Sequence, residues 1–220
     1  MKNKRMIYIA GDSTAEAKPQ HERPMSGWGE YLEDFLDSNI QVSNQAIGGR
    51  STKSFLDQQR LDAILDDIKE GDYLLIQFGH NDQKIEDPTR YTEPYGTYQE
   101  NLKLYIEETR KKKAIPVLLS SISRRDFIEG KINRESLGDY PKAMKEVSES
   151  EEVDFLDMNQ LSADYIESLG EEKSKDLFLH LKPNEYPNYP EGLEDNTHFS
   201  EHGGRVFAEM IAEELVKVLK

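Results

Sequence analysis

Five short apolar segments recur along the chain, and stretches with helical periodicity fill the intervals between them. The apolar segments lie at residues 6–10, 40–42, 73–78, 115–120 and 153–156. When strands alternate with helices, the connections are right-handed crossovers, and the strands form a parallel sheet with helices on both faces. The pattern therefore predicts an α/β fold, a three-layer α/β/α sandwich around a central parallel sheet of about five strands.

The first predicted helix has its apolar residues at the spacing of a stripe that packs on a sheet. Its members are Trp28, Tyr31, Leu32, Phe35 and Leu36. Further helices are predicted near residues 55–68, 102–106, 140–147 and 161–169, and a closing helix at 206–218 follows Gly203-Gly204. Two proline-containing segments, 84–97 and 182–196, are predicted to be long loops. The 220 residues are expected to form one domain, residues 1–220.

Charge restricts the classes of partner. Acidic residues outnumber basic ones by 43 to 28, which gives a net charge of −15. Such a field repels polyanions, so we expect no non-specific binding to nucleic acid or to an anionic membrane. A long acidic polysaccharide is also expected to be repelled unless a local basic patch receives it. Because the chain has no cysteine, a disulfide framework and a thiolate metal site are both excluded.

The first residues bear on location. Lys2, Lys4 and Arg5 precede an apolar run at 6–10 that is much shorter than the core of a signal peptide. No segment approaches the roughly 18 consecutive apolar residues that a transmembrane helix needs. The sequence as given therefore predicts a cytoplasmic protein.

Polar clusters follow three of the predicted strands. They are Gly11-Asp12-Ser13-Thr14, Gly48-Gly49-Arg50-Ser51 and Gly79-His80-Asn81-Asp82. The carboxyl ends of parallel strands lie along one edge of an open α/β sheet, where ligands bind, so we expect the three clusters to meet. Ser13 is a candidate nucleophile if a base takes its proton. Alternatively, its hydroxyl caps a helix or turn.

His198 is the best candidate for that base. It follows Asp195 by three residues, a separation at which the carboxylate can accept the imidazole Nδ1 proton and leave Nε2 facing a hydroxyl group. Alternatively, the segment from Asp195 only caps the turn before the last helix. His80 lies between Gly79 and Asn81, where it is more suited to orienting its neighbours than to acting as a base.

Gly49 and Asn81 are candidates for an oxyanion hole. A glycine lets the backbone approach a substrate closely, and a side-chain amide at a strand end supplies a second donor. The alternatives are structural: a tight turn at Gly48-Gly49, and a β-turn or helix cap at Asn81-Asp82.

A metal site is an alternative interpretation of the histidines near the C-terminus. His198 and His202 are four residues apart, and with Asp195 they could form a zinc site on a helix. That interpretation leaves Ser13 and Asn81 unexplained, and Gly203-Gly204 weakens the helical face. We therefore expect no metal.

Two further segments could contact a substrate. Arg124-Arg125, with Arg50 or Lys53, could bind a substrate carboxylate through paired hydrogen bonds, or could simply form ion pairs with surface acids. The loop at 186–190 contains Tyr186 and Tyr189, which could stack on a sugar or could belong to a rigid structural loop.

The ordered blocks resemble those of the SGNH (GDSL-like) hydrolases. The family's blocks match Gly-Asp-Ser at 11–13, Gly49, Gly79-x-Asn81-Asp82 and Asp195-x-x-His198. Within that superfamily the chain is most similar to the rhamnogalacturonan acetylesterases of carbohydrate esterase family 12. The stretches that support this narrower resemblance are 11–14, 27–32, 48–51, 78–82, 123–125, 138–141 and 195–200.

The resemblance implies a flavodoxin-like fold and a serine esterase that needs no cofactor. Ser13 would be the nucleophile, His198 the base and Asp195 the residue that orients it. The Ser13 N–H, the Gly49 N–H and the Asn81 side chain would form the oxyanion hole. The implied substrate is an acetylated, pectin-derived oligosaccharide. Two alternatives remain: another GDSL-type esterase, lipase or thioesterase, and a non-catalytic sugar-binding module.

Overall fold

The computed structural model describes residues 5–219, so Lys2 and Lys4 lie outside the described residues. Within that range the strands are β1 (Arg5–Gly11), β2 (Ile40–Asn44), β3 (Tyr73–Gln77), β4 (Ile115–Leu119), β5 (Phe127–Ile128), β6 (Lys131–Ile132), β7 (Asp154–Leu156), β8 (Phe178–Leu181) and β9 (Leu193–Phe199). The α-helices are α1 (Thr52–Asp57), α2 (Arg60–Asp67), α3 (Gln99–Lys111), α4 (Tyr140–Ser150), α5 (Met158–Lys173) and α6 (Glu201–Leu215).

Five strands form one parallel sheet in the order β2-β1-β3-β4-β7. These are the five strands predicted from the apolar segments, and the α/β fold class is confirmed. Order and direction place the carboxyl ends of β2, β1 and β3 side by side. The three polar clusters therefore follow three adjacent strands.

Both faces of the sheet are covered. Along β1, Ile7 and Ile9 belong to one apolar cluster, whereas Tyr8 and Ala10 belong to a second cluster on the opposite face. Residues of α5 and α6 pack in the first cluster, and residues of α1, α2, α3 and α4 pack in the second. A strand buried on both faces is apolar at consecutive positions, which is why β1, β3 and β4 appear as continuous apolar runs.

The segment 28–36 is not the α-helix that its apolar spacing predicted. It forms two short 3-10 turns, Trp28–Glu30 and Leu32–Phe35. A Cβ atom on Gly27 would lie 2.3 Å from the Glu16 carbonyl oxygen, so the segment is pressed against the loop after β1. The Trp28 N–H donates to the Thr14 carbonyl at 2.9 Å. Packing on that loop decides the backbone conformation here, although the apolar side chains still face the core.

Two other helix predictions need correction. The predicted helix at 55–68 is split into α1 and α2 at Gln59, whose φ of 56° is left-handed. The last helix begins at Glu201, before the glycine pair, with Ser200 as its cap. A Cβ atom on Gly203 would lie only 1.9 Å from the Leu177 carbonyl oxygen. Glycine is therefore needed inside α6 for close helix packing and does not mark the start of the helix.

The predicted loop at 182–196 ends in a strand instead. β9 pairs with β8 in an antiparallel hairpin that is separate from the parallel sheet. Leu179 pairs with Asp195, and the adjacent residue Phe178 pairs with Phe199. An advance of one residue along β8 therefore corresponds to four residues along β9. Residues 196–198 therefore bulge out of the strand, an irregularity that often re-aims a side chain next to an active site.

Within residues 5–219, no helix has both the length and the apolar character that crossing a membrane requires. The expectation of a single domain stays a prediction.

Candidate active site

The loops after β1, β2 and β3 meet at one edge of the sheet. The Asn81 Nδ2 atom donates a 3.0 Å hydrogen bond to the Arg50 carbonyl oxygen, which joins the third loop to the second. A Cβ atom on Gly48 would lie 3.5 Å from the Ser13 Cβ atom, which brings the second loop against the first. The structure thus gathers Ser13, the glycine pair and Asn81 from positions almost 70 residues apart.

Ser13, His198 and Asp195 form a continuous chain of polar contacts. The Ser13 Oγ atom lies 2.9 Å from His198 Nε2. On the other side of the ring, His198 Nδ1 lies 2.7 Å from Asp195 Oδ2. If Asp195 accepts the Nδ1 proton, Nε2 carries a lone pair that can accept a proton from the Ser13 hydroxyl. This arrangement is suited to the activation of a serine nucleophile.

The bulge in β9 holds the Asp195 carboxylate in place. Its Oδ1 atom accepts hydrogen bonds from the Thr197 and His198 backbone N–H groups, at 2.7 and 2.9 Å. Partial burial alone would raise the Asp195 pKa, but the contact with His198 and these N–H donors outweigh it and lower the pKa to about 2. Asp195 is therefore ionised at neutral pH, so it can stabilise a positive charge on His198.

Asn81 is held by contacts at both ends of its amide. Besides the bond from Nδ2 to Arg50, its Oδ1 atom accepts a long hydrogen bond of 3.4 Å from Arg90 Nη1. One Nδ2 hydrogen remains available to a ligand. Gly49 adopts a φ of +76°, a left-handed conformation that favours glycine.

Asp82 lies in the candidate site, although its sequence context predicted only a turn or a helix cap. Its fully buried carboxylate accepts hydrogen bonds from the Thr52 N–H, the Thr52 hydroxyl and the Thr92 hydroxyl. Thr52 is the first residue of α1, so Asp82 caps a helix 30 residues earlier in the chain. The cap fixes the segment after Gly49 to the segment that carries Asn81. The signals in the sequence were its place beside Asn81 in a strand-end cluster and its place in the matched block Gly79-x-Asn81-Asp82.

Burial also acts on the Asp82 proton equilibrium. Desolvation first, and the charge of Asp12 in addition, raise its pKa to about 7 against the opposing hydrogen bonds from Thr52 and Thr92.

Asp12 and His80 form a buried pair beneath the Ser13 loop. Asp12 Oδ1 accepts from the Thr14 N–H at 2.9 Å, and Asp12 Oδ2 lies 3.5 Å from His80 Nδ1. Burial would raise the Asp12 pKa, but His80 and Thr14 together lower it below its usual value. His80 thus faces Asp12, which is consistent with an orienting role.

The two adjacent arginines have different surroundings, and neither is paired with an acid. Arg125 is almost completely buried and donates to Asn196 Oδ1, Ser174 Oγ and the Glu171 carbonyl, so it is not free to bind a substrate. Arg124 lies over Gln83, whose amide oxygen, when turned toward the guanidinium, is 2.7 Å from both Nη atoms. Neither arginine lies within 4.0 Å of a carboxylate in the described part of the chain, so the interpretation as surface ion pairs is wrong.

The contacts of the histidines do not suggest a metal centre. Both ring nitrogens of His198 are engaged, one by Ser13 and the other by Asp195. Residues 5–219 contain no cluster of three His, Asp or Glu side chains arranged to hold a metal ion. The alternative zinc site at Asp195, His198 and His202 therefore has no geometric support.

The tyrosine-containing loop is anchored to residues 20–23, which include the 3-10 turn Gln20–Glu22. Tyr189 donates to the Glu22 carbonyl at 2.9 Å, and Asn188 donates to the carbonyls of Gln20 and Arg23. Tyr186 keeps 36% of its surface exposed. These contacts give the loop a structural role, while the Tyr186 ring remains accessible.

Comparison with known proteins agrees with this arrangement. Residues 9–206 match the GDSL-like Lipase/Acylhydrolase family. The chain is 46% identical over 213 residues to rhamnogalacturonan acetylesterase RhgT of Bacillus subtilis, with 97% of this chain and 90% of RhgT covered. It is 39% identical over 206 residues to the probable rhamnogalacturonan acetylesterase YesY of the same organism, with 94% and 90% covered.

Solved structures show the same fold. YxiM of Bacillus subtilis superposes with a TM-score of 0.84 at 27% identity, covering 97% of this chain and 56% of that one. Axe2, an acetyl xylan esterase from Geobacillus stearothermophilus, superposes with a TM-score of 0.67 at 16% identity, covering 96% and 94%. The family match and the two Bacillus relatives confirm the resemblance stated from the sequence blocks. The chain belongs to the GDSL-like lipase/acylhydrolase family.

Proposed function

We propose that the chain is a serine esterase that removes O-acetyl groups from pectin-derived, rhamnogalacturonan-type oligosaccharides. The observation that carries the proposal is the chain of contacts from Asp195 through His198 to Ser13, at 2.7 and 2.9 Å. The similarity to two Bacillus rhamnogalacturonan acetylesterases over nearly the whole chain supports the choice of substrate.

In the acylation step, the Ser13 Oγ atom attacks the acetyl carbonyl carbon while His198 Nε2 takes the hydroxyl proton. The carbonyl oxygen becomes an oxyanion, which is stabilised by the Ser13 N–H, the Gly49 N–H and the Asn81 amide. The bond between the acetyl carbon and the sugar oxygen then breaks. His198 returns its proton to that oxygen, and the deacetylated sugar leaves an acetyl-Ser13 ester behind.

Water completes the cycle by the same route. His198 takes a proton from water, the resulting hydroxide attacks the acetyl carbon, and the same three donors stabilise the second oxyanion. When this intermediate collapses, the bond to Ser13 Oγ breaks, His198 protonates Oγ, and acetate is released. Asp195 stays ionised throughout and stabilises the transient positive charge on the imidazole. No cofactor takes part in these steps.

The first test is acetate release from acetylated rhamnogalacturonan oligosaccharides, measured for the wild type and for Ser13→Ala. We expect the variant to lose nearly all activity, because no other atom occupies the position of Oγ, and to keep the far-ultraviolet circular dichroism and the melting temperature of the wild type. Ser150→Ala, at the exposed end of α4, is the matched control and should behave as the wild type does. Undiminished turnover by Ser13→Ala would rule out Ser13 as the nucleophile.

A second comparison separates this function from that of a lipase or thioesterase. The enzyme should hydrolyse p-nitrophenyl acetate much faster than a long-chain p-nitrophenyl ester. The opposite preference would contradict an acetylesterase. A location in the cytoplasm remains part of this proposal.

A further inference from the structure

A cavity of about 350 Å³ opens beside Gly49, on the side of the oxyanion group that faces α1. Its lining includes Arg50, Arg90 and Asp57. Because Gly49 belongs both to this cavity and to the oxyanion donors proposed above, a ligand here would be adjacent to the acetyl group under attack. The cavity is therefore placed to bind a sugar next to the acetylated one.

Arg50 brings an uncompensated positive charge to the cavity. Its guanidinium donates to Gln58 Oε1 at 3.0 Å through Nε and to the Gly48 carbonyl at 2.7 Å through Nη1. Among the residues that the structure describes, no carboxylate lies within 4.0 Å of it. Both partners are neutral oxygens that fix the plane of the guanidinium. The Nη2 group makes no hydrogen bond within residues 5–219, so its donors remain available to a ligand.

Arg90 contributes a second guanidinium that is already paired. Its Nε atom donates to Asp87 Oδ2 at 2.6 Å, and its Nη1 atom reaches to 3.4 Å from Asn81 Oδ1. Asp87 balances the charge of Arg90, whereas the one acid that lines the cavity, Asp57, is beyond ion-pair distance of Arg50. Arg50 thus combines a guanidinium without a carboxylate partner, a free Nη2 group and a position in the lining beside Gly49, and this combination suits an anionic ligand.

We propose that this cavity binds the carboxylate of a uronic acid unit in the oligosaccharide, with Arg50 as its principal donor. This inference rests on the proposed function and names the part of the substrate that the enzyme recognises beside the acetyl ester. A guanidinium presents parallel donors that match the two oxygens of a carboxylate. Galacturonic acid carries such a group at neutral pH. A local site of this kind would offset the repulsion that a net charge of −15 exerts on an acidic substrate.

The experiment compares two substrates that differ only at their carboxyl groups. One is an acetylated rhamnogalacturonan oligosaccharide, and the other is the same oligosaccharide after its carboxyl groups have been reduced to alcohols. The readout is the ratio of kcat/KM for the acidic substrate to that for the reduced one, measured at 0.15 M salt, where the Debye length of about 8 Å limits long-range repulsion. Arg50 also contacts the Gly48 carbonyl, so replacing it could lower activity on both substrates. Such a general loss cancels in the ratio.

We expect the wild type to prefer the acidic oligosaccharide by at least about 10-fold, the size of effect expected from a charge-assisted hydrogen bond. Arg50→Gln should bring the ratio close to one, and Arg50→Lys should retain part of the preference. Arg60→Gln is the matched control, because Arg60 is an exposed arginine at the start of α2 that does not line the cavity. Its ratio should equal that of the wild type.

The possible failures are distinguishable. If both oligosaccharides are deacetylated at equal rates, or if Arg50→Gln keeps the wild-type ratio, the carboxylate site is overturned and the proposed esterase function stands. If neither oligosaccharide releases acetate while p-nitrophenyl acetate is hydrolysed, the proposed substrate is overturned, and the carboxylate site with it.

Discussion

At the scale of single residues, the site depends on a few polar atoms whose partners are fixed. Asp195 is an example, because two backbone N–H groups and His198 hold its carboxylate and lower its pKa to about 2. A folded-state pKa below the usual value of 3.8 means that this carboxylate stabilises the fold above about pH 4, and that the contribution is lost as the pH falls toward 2. The proposed orienting group is thus charged over the whole range in which an esterase works.

Asn81→Ala should lower kcat about 100-fold or more while changing KM much less, because the amide donor is expected to bind the oxyanion more strongly than the ground-state carbonyl. Steady-state kinetics with p-nitrophenyl acetate would measure the two constants. Asn188→Ala, in the loop anchored to Gln20 and Arg23, removes an amide far along the chain from the three clusters and serves as the control. A change confined to KM would contradict the assigned role.

At the scale of elements, the β8–β9 hairpin carries two members of the proposed triad, Asp195 and His198. The bulge at 196–198 is held from behind by Arg125, which reaches Asn196 in β9 and the Glu171 carbonyl in α5. The backbone N–H of Arg125 also donates to the backbone carbonyl of Asn196 at 2.9 Å. Arg125 therefore acts as a positioning residue for the strand that carries Asp195 and His198.

Arg125→Met is expected to reduce kcat more than it raises KM, because Asn196 loses its anchor and His198 is no longer held at hydrogen-bond distance from Ser13. It should also lower the free energy of unfolding by about 1–3 kcal/mol, since buried acceptors lose their donors. Kinetics and urea denaturation would measure both effects. Arg134→Met, which removes a partly exposed arginine from surface ion pairs with Asp164 and Glu167, should change each far less. Wild-type kcat in Arg125→Met would exclude the positioning role.

At the scale of the whole molecule, stability comes from a sheet covered on both faces, and one buried acid couples that stability to pH. Asp82 is fully buried in the loop after β3. Its carboxylate links this loop to α1 through Thr52 and accepts a hydrogen bond from Thr92. Its folded-state pKa of about 7 lies above the usual value of 3.8, so the native state binds a proton that the unfolded chain has already released. The contribution of this group to stability therefore decreases as the pH rises from about 4 to about 7.

The difference in unfolding free energy between the wild type and Asp82→Asn should be largest near pH 4 and smaller near pH 7, because the amide does not titrate. Urea denaturation at three pH values in this range would measure it. Asp66→Asn, at an exposed position of α2, controls for the loss of one acidic residue and should give a difference that does not follow this trend. A difference that grows as the pH rises would show that the Asp82 carboxylate is stabilised by its donors more than it is penalised by burial.

The sequence predicted the structure correctly where a local residue pattern results directly from burial in the fold. The central strands β1, β3 and β4 are apolar at consecutive positions because both faces are buried, so their positions could be predicted. The parallel order then placed the clusters around Ser13, Gly49 and Asn81 on adjacent strand ends. Residue type, position after a predicted strand and block spacing were sufficient to select the members of the candidate site and the family.

Contacts between distant segments decided the rest. Residues 28–36 have a helical stripe but form 3-10 turns, because Gly27 and its neighbours pack directly on the loop after β1. The bulge in β9, the cap that Asp82 provides to α1 and the unpaired guanidinium of Arg50 left no periodic signal. Each feature depends on contacts between segments that are distant in sequence. Such contacts form only when the helices and strands pack together. The sequence alone thus determined the layers of the fold and the chemical groups of the candidate site. Tertiary packing determined the orientation of those groups, their protonation, and whether a basic side chain forms an ion pair with an acid.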